Sequence, residues 1–240
     1  MDESGLKRIL REKPKIMQIN DIPDDKKVIK PWGSEYTIYK NSSTSMKLLR
    51  IDKSKSTSLH CHPIKKTGFI LIKGQVDVDL GFYNTKKLIA PSRLMIRPGL
   101  FHATKNNSEK YAVIFEVETP IDKDDLVRFK DNYGRENLPY EGKNSMENLS
   151  DKDPVFTEPN LNETKDYIVE DVKISLEKTN DIKNLQYRNK EEIFVILDGG
   201  LKSNNNLLVL SPGDIVGIET IEKLIEVFKI DKYITFLTIK

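Results

Sequence analysis

The chain has 240 residues, 38% hydrophobic and 32% charged, with a formal net charge of +2; that length suits one large domain or two small ones. The near-balanced charge, with no dense basic stripe, excludes an electrostatic footprint for nucleic acid, and no window approaches the roughly 18 apolar residues of a membrane span. The single cysteine permits no internal disulfide, and the charged N-terminus lacks the apolar run of a signal peptide, so a cytoplasmic protein with no membrane partner is expected.

Residues 1–27 read as an N-terminal extension. A short helix is expected over 4–13, with Ser4 as N-cap, Leu6, Ile9 and Leu10 as one apolar stripe and Pro14 as its stop. A strand over Ile16–Ile19 and a polar turn from Asp21 to Lys27 follow. In KVIKPWGSEYTIYKN, Pro31 pushes Lys30 toward extended geometry, Gly33 permits a turn, and residues 36–40 alternate as a strand. Trp32, the only tryptophan, reads as a packing residue at the strand entry. Further strands are expected at 45–51, 68–72, 75–80, 87–89, 93–96 and 111–118. Many short strands broken by Gly, Pro and Asn turns mean an all-β sandwich or barrel.

Within that run, TSLHCHPIKKTGFILIKG holds His60 and His62, with Cys61 between them. On a strand the side-chain period is two, so both imidazoles take one face and Cys61 the other. Two imidazoles do not close a metal shell, and the one histidine left is His102. All three therefore fall into a single expected site for one divalent ion. Imidazole donors suit several metals, so Zn, Fe, Mn and Ni stay open.

After Glu118 the pattern changes. Leu126, Phe129 and Tyr133 fall on one face of a helix, Asp122, Asp124 and Asp125 sit where its dipole favours negative charge, and Gly134 is placed to end it. Residues 138–160 read as linker, so 121–160 is expected to hold a helix and a linker. Residues 161–240 return to strands, expected at 167–169, 172–176, 193–197, 207–210, 215–218, 224–229 and 233–239.

The histidines sit in a longer pattern. His60-x-His62 is followed by Thr67 and Gly74, then by Pro98-Gly99-x-x-His102 and Asn106. This resembles the two motifs of the cupin superfamily, with Thr67 at the usual glutamate, Arg97 at the usual proline and Pro91 at the opening glycine. The resemblance implies a double-stranded β-helix (cupin, jelly-roll) barrel over 28–120 with the histidines facing inward. Glu192-x(6)-Gly199 and Pro212-Gly213-Asp214 repeat parts of the pattern, with Leu185 and Tyr187 at the histidine positions. Residues 161–240 are therefore expected to form a degenerate second barrel in tandem, without ligands.

Lys30-Pro31-Trp32-Gly33-Ser34, Glu116-Val117-Glu118 and the run from Asp124 to Arg135 narrow the resemblance. They are similar, in order, to the R-P-W-G-S, E-V-Q and E-D-D-I-V-R-F…D-x-Y-G-R motifs of the type II mannose-6-phosphate isomerase cupin domain. Aligned on that family, its glutamate falls on Thr67 and the adjacent histidine on Gly68. The resemblance implies metal-dependent isomerase or epimerase chemistry on a sugar phosphate or nucleotide sugar, in surface-polysaccharide synthesis. Glu116 and Glu118, on one strand face, are the candidate proton carriers. Tyr36, Arg128 and Arg135 are candidate substrate contacts, the arginines as phosphate ligands. Lys65, Lys66 and Lys73 read as a solvated face. A non-catalytic sugar-binding cupin and a three-histidine iron dioxygenase are the alternatives. The second half, with Phe194, Val195, Ile196 and Leu197 to bury, is expected to form a homodimer contact.

Overall fold

The computed structural model describes residues 25–122, 125–135 and 143–240; the helix expected over 4–13 and the strand at Ile16–Ile19 lie outside them. The strands of the first part are β1 (Lys26–Lys30), β2 (Gly33–Lys40), β3 (Ser45–Ile51), β4 (Leu59–Cys61), β5 (Lys66–Lys73), β6 (Gln75–Leu80), β7 (Asn84–Ile89), β8 (Ser92–Ile96), β9 (His102–Asn106), β10 (Ala112–Thr119), β11 (Val127–Lys130) and β12 (Met146–Asn148). They form two antiparallel sheets, β12-β1-β2-β3-β10-β5-β8 and β11-β4-β9-β6-β7. One buried cluster draws on both sheets: Leu49 and Ile51 from β3, Phe69 and Leu71 from β5, and Ile114 from β10 meet Val76 and Val78 from β6. Two sheets closing on a shared interior make this the expected jelly-roll barrel. Trp32 packs into that interior.

β5 and β10 read as continuous apolar runs because both of their faces are covered. β10 sends Ala112 and Ile114 into the barrel and Val113, Phe115 and Val117 to the opposite side. There they meet the second part of the chain: β13 (Glu163–Val169), β14 (Val172–Thr179), β15 (Ile193–Lys202), β16 (Leu208–Leu210), β17 (Ile215–Gly217), helix α1 (Ile218–Ile225) and β18 (Lys229–Ile239). These strands form one sheet, β13-β14-β18-β15-β16, with β17 also pairing β15. Ile174, Leu176, Val195, Leu197 and Leu237 face the first barrel. The other face, with Phe194, Ile196 and Phe236, is closed by Leu185 and by Ile218 and Ile221 of α1. The four residues expected at a dimer contact are thus all covered within the chain.

Two expected elements are different. The segment expected as a helix around 126–133 contains strand β11, which pairs with β4. Val127 packs with Cys61 and Phe101, and Phe129, two residues on, also meets Phe101. That is period-two packing. Asp125 caps no helix; its carboxylate accepts the amides of Ile64 and Lys65 at 2.8–3.1 Å. The strand expected at 224–229 is instead the end of α1, in which Ile218 and Ile221 are buried one turn apart, followed by a turn that leads into β18 at Lys229. The linker, too, is partly built in. β12 extends the larger sheet, and the Phe156 amide donates to the Ile38 carbonyl at 2.7 Å.

Candidate metal centre

β4 and β9 pair with His60 directly opposite His102, and β11 places Arg128 opposite His60. Residues paired in this way share a sheet face, so the three side chains leave the strands toward the barrel interior. His62 follows two residues on, and Cys61 turns away into the outer cluster of Phe101 and Val127. The ligand atoms of His60, His62 and His102 lie within 4.8 Å of one another. Their ring centroids are 4.5–5.6 Å apart.

Each ring is oriented through Nδ1. His60 Nδ1 donates to the Ser58 carbonyl at 2.8 Å, His102 Nδ1 to the Leu100 carbonyl at 3.0 Å, and His62 Nδ1 to the Asp125 carbonyl at 2.5 Å. A carbonyl only accepts, so Nδ1 carries the proton and Nε2 keeps its lone pair. Nε2 of His62 and of His102 is buried with no hydrogen-bond partner. Burial, with smaller contributions from neighbouring charges, keeps the imidazoles neutral, lowering His60 well below its ordinary value and His102 to about 4. His62 is lowered as well, by burial first and Lys65 next among the opposing causes, although Glu118 works the other way. Neutral rings with oriented, orphaned Nε2 atoms are what a divalent ion requires. The residues present fit one.

A charged layer lies beside the histidines. Glu116 and Glu118 point inward from β10, where Glu118 stands opposite Thr67 and Ser45 and Glu116 opposite Lys47. Lys65 Nζ is 3.1 Å from Glu118 Oε1, and Lys47 Nζ is 3.3 Å from Oε2. Lys30 and Glu35 pair at 3.4 Å and are also buried. Burial, then the neighbouring Glu118 charge, raises the Glu116 carboxyl. Burial alone would raise Glu118 as well, but Lys47, Lys65 and His62 outweigh it and hold that carboxyl well below the usual range.

The other candidates divide. Arg128 lies beside His60, and its Nη1 donates to the Arg135 carbonyl at 2.8 Å. Arg135 is turned to Asp131, which it grips through Nε and Nη2 at 2.9 and 2.8 Å. Tyr36 is buried in the apolar cluster between the two halves, not beside the histidines, because β2 turns that face outward from the first barrel. The lysines expected on a solvated face are partnered: Lys65 inside the barrel, Lys66 with Asp214 and Lys73 with Glu170. Leu185 is fully buried and Tyr187 is exposed, so neither histidine-equivalent position of the second half offers a ligand. Sequence reasoning missed Lys47 and Asp125. The alternation Lys47, Leu49, Ile51 puts Lys47 on the inward face and was the available signal.

Residues 18–131 match the family model described as mannose-6-phosphate isomerase C-terminal. The first half is thus a cupin-type domain similar to that family. The xanthan biosynthesis protein XanB of Xanthomonas campestris pv. campestris (strain B100) is 27% identical over 113 residues, 46% of this chain and 24% of that protein. XanB of a second strain is 28% identical over 112 residues. The chain therefore spans about a quarter of the length of these curated relatives. Among solved structures, KdgF from Halomonas sp. aligns with a TM-score of 0.36 and 11% identity, over 44% of this chain and 87% of that one. An RmlC-like cupin from Shewanella frigidimarina aligns at 0.35 and 16%, over 45% and 86%. No helix among the described residues is long and apolar enough to cross a membrane.

Proposed function

We propose that the first barrel holds one divalent ion on His60, His62 and His102 and acts as an isomerase- or epimerase-like cupin on a sugar phosphate or nucleotide sugar. The observation that carries this is the set of three convergent imidazoles, each fixed through Nδ1, with two Nε2 atoms buried and unpartnered. A bound ion would supply a Lewis acid that polarises a sugar carbonyl or hydroxyl. The chain's own groups do the rest. Glu116, its carboxyl raised by burial, faces the same interior and is placed to hold or move a proton at a sugar carbon. Arg128 offers a cation beside His60 for a phosphate. The sugar class and the link to polysaccharide synthesis draw on the isomerase-type family match and on the XanB relatives.

The test has two stages. Elemental analysis of the purified chain should find one divalent ion, lost or greatly weakened in His62→Ala and His102→Ala. Candidate sugar phosphates and sugar nucleotides are then incubated in heavy water with and without chelator. Chelator-sensitive deuterium at one carbon, without oxygen or nicotinamide, is the expected result. Tight sugar binding with no exchange across the panel would instead make the barrel a binding module.

A further inference from the structure

We infer that Glu118 is the fourth protein ligand of the ion held by His60, His62 and His102, supplying from β10 a carboxylate that the opposite position on β5, Thr67, lacks. This rests on the metal-centre reading above and deepens it. In the antiparallel ladder Glu118 and Thr67 are direct partners, so their side chains enter the same interior from adjacent strands. The Thr67 hydroxyl is buried without a partner and is a poor ligand. Glu118 Oε1, in contrast, lies 3.7 Å from the unpartnered Nε2 of His62. Ligands of a tetrahedral ion with bonds of about 2.1 Å stand about 3.4 Å apart, so the Glu118–His62 spacing suits a shared ion. The carboxylate groups with His62 and Glu116 rather than with all three histidines, and has to swing toward the other two rings to complete the set. Glu116 also lies within 4.8 Å of the His62 ligand atom, but among the described residues Glu118 is the carboxylate in ion-pair range of a site histidine, at 3.7 Å.

The two lysines aim this carboxylate. Lys65, from the loop entering β5, holds Oε1, and Lys47, from β3, holds Oε2. A carboxylate oxygen has two lone pairs. Oε1 can therefore accept from Lys65 and still face the ion, with Lys65 as a positioning residue behind the ligand. The carboxylate also lowers the charge of the centre, which three neutral imidazoles leave at the full value of the ion.

Cobalt(II) binding to the full chain tests this, since its visible spectrum reports the ligand set and competition with a chelator the affinity. Glu118→Gln should weaken binding by at least about tenfold and change the spectrum. Adding Thr67→Glu to that variant returns a carboxylate to the opposite strand and should recover much of both. If Glu118→Gln fails to fold, a crystal structure of the metal-loaded wild type decides, with a Glu118 oxygen expected at about 2.0–2.2 Å from the ion. Unchanged affinity and spectrum in a folded Glu118→Gln, a second equivalent of metal that depends on Glu118, or a wild-type carboxylate outside bonding distance overturns the inference and leaves the three-histidine centre standing. A wild-type chain that binds no metal overturns both. Binding with the Glu118 dependence but no deuterium exchange sustains the ligand and removes only the proposed activity.

Discussion

A neutral imidazole buried in the barrel links stability to pH. His102 is lowered from 6.5 to about 4 by burial. Between those values the unfolded chain takes up a proton that the folded metal-free chain refuses, so stability is full above 6.5, falls as pH is lowered, and stops falling near 4. A shift of that size is worth about 3 kcal/mol. His60 and His62 act in the same direction, whereas the raised Glu116 opposes them. Three imidazoles against one carboxyl leave the sign unchanged. Urea unfolding of chelator-stripped protein should show a midpoint that drops from pH 7 to pH 5, less steeply in His102→Leu. A flat profile would show that the rings protonate in the folded state. The histidines themselves were legible because the chain has three and their spacing is distinctive. Lys47 and Lys65 were not, because a lysine reads as a solvated charge unless strand register turns it inward and a carboxylate waits there. The carboxylate swap shows the same limit. Thr67 in the glutamate slot and Glu118 in the place of the family's glutamine are both visible in sequence, but only the ladder makes them neighbours.

Strands β2, β3, β5, β6, β7, β8 and β10 were legible because turn residues bound short apolar runs there, whereas β1 and β9, the strand of His102, carry too few apolar residues and were not read. The segment at 126–133 was misread because its pattern fits two periods. Leu126, Phe129 and Tyr133 suit a helix, but Val127 and Phe129 suit a strand, and pairing with β4 decides between them. Gly68 explains a different departure, since the family's histidine position falls on it. A Cβ at Gly68 would sit 2.2 Å from Ile215 Cδ1 and 3.2 Å from Met95 Sδ. β5 lies flush against β17 at this point, and no imidazole fits between them. Gly68→Ala should therefore cost about 1–3 kcal/mol by overpacking. Because the closest atom is the tip of a side chain, Ile215→Ala should recover part of that cost when the two are combined. A double-mutant cycle in urea checks it. Strict additivity would mean that the two strands do not press on each other at this position.

At the scale of the whole molecule the two halves share a core. The cluster between them takes Ile38, Ile70, Phe115 and Val117 from the first barrel and Ile174, Val195, Leu197 and Leu237 from the second sheet. Lys66–Asp214 at 2.7 Å and Lys73–Glu170 bridge the same boundary, and the Asn41 amide donates to the Leu197 carbonyl at 3.1 Å. Ion pairs that are partly exposed contribute little, so the apolar contact holds the halves together. Separating them would uncover apolar faces on both sides at about 25 cal/mol per Å². Neither half should then stay folded when the other opens. The single tryptophan supplies a local probe, because Trp32 is buried in the first barrel. Far-ultraviolet circular dichroism reports the strands of both halves. Urea curves from the two probes should coincide, and Phe115→Ala, which opens the shared core, should shift both together by about 3–5 kcal/mol. Two separated transitions, or a Phe115→Ala effect confined to the tryptophan signal, would make the second half an independent unit beside the barrel.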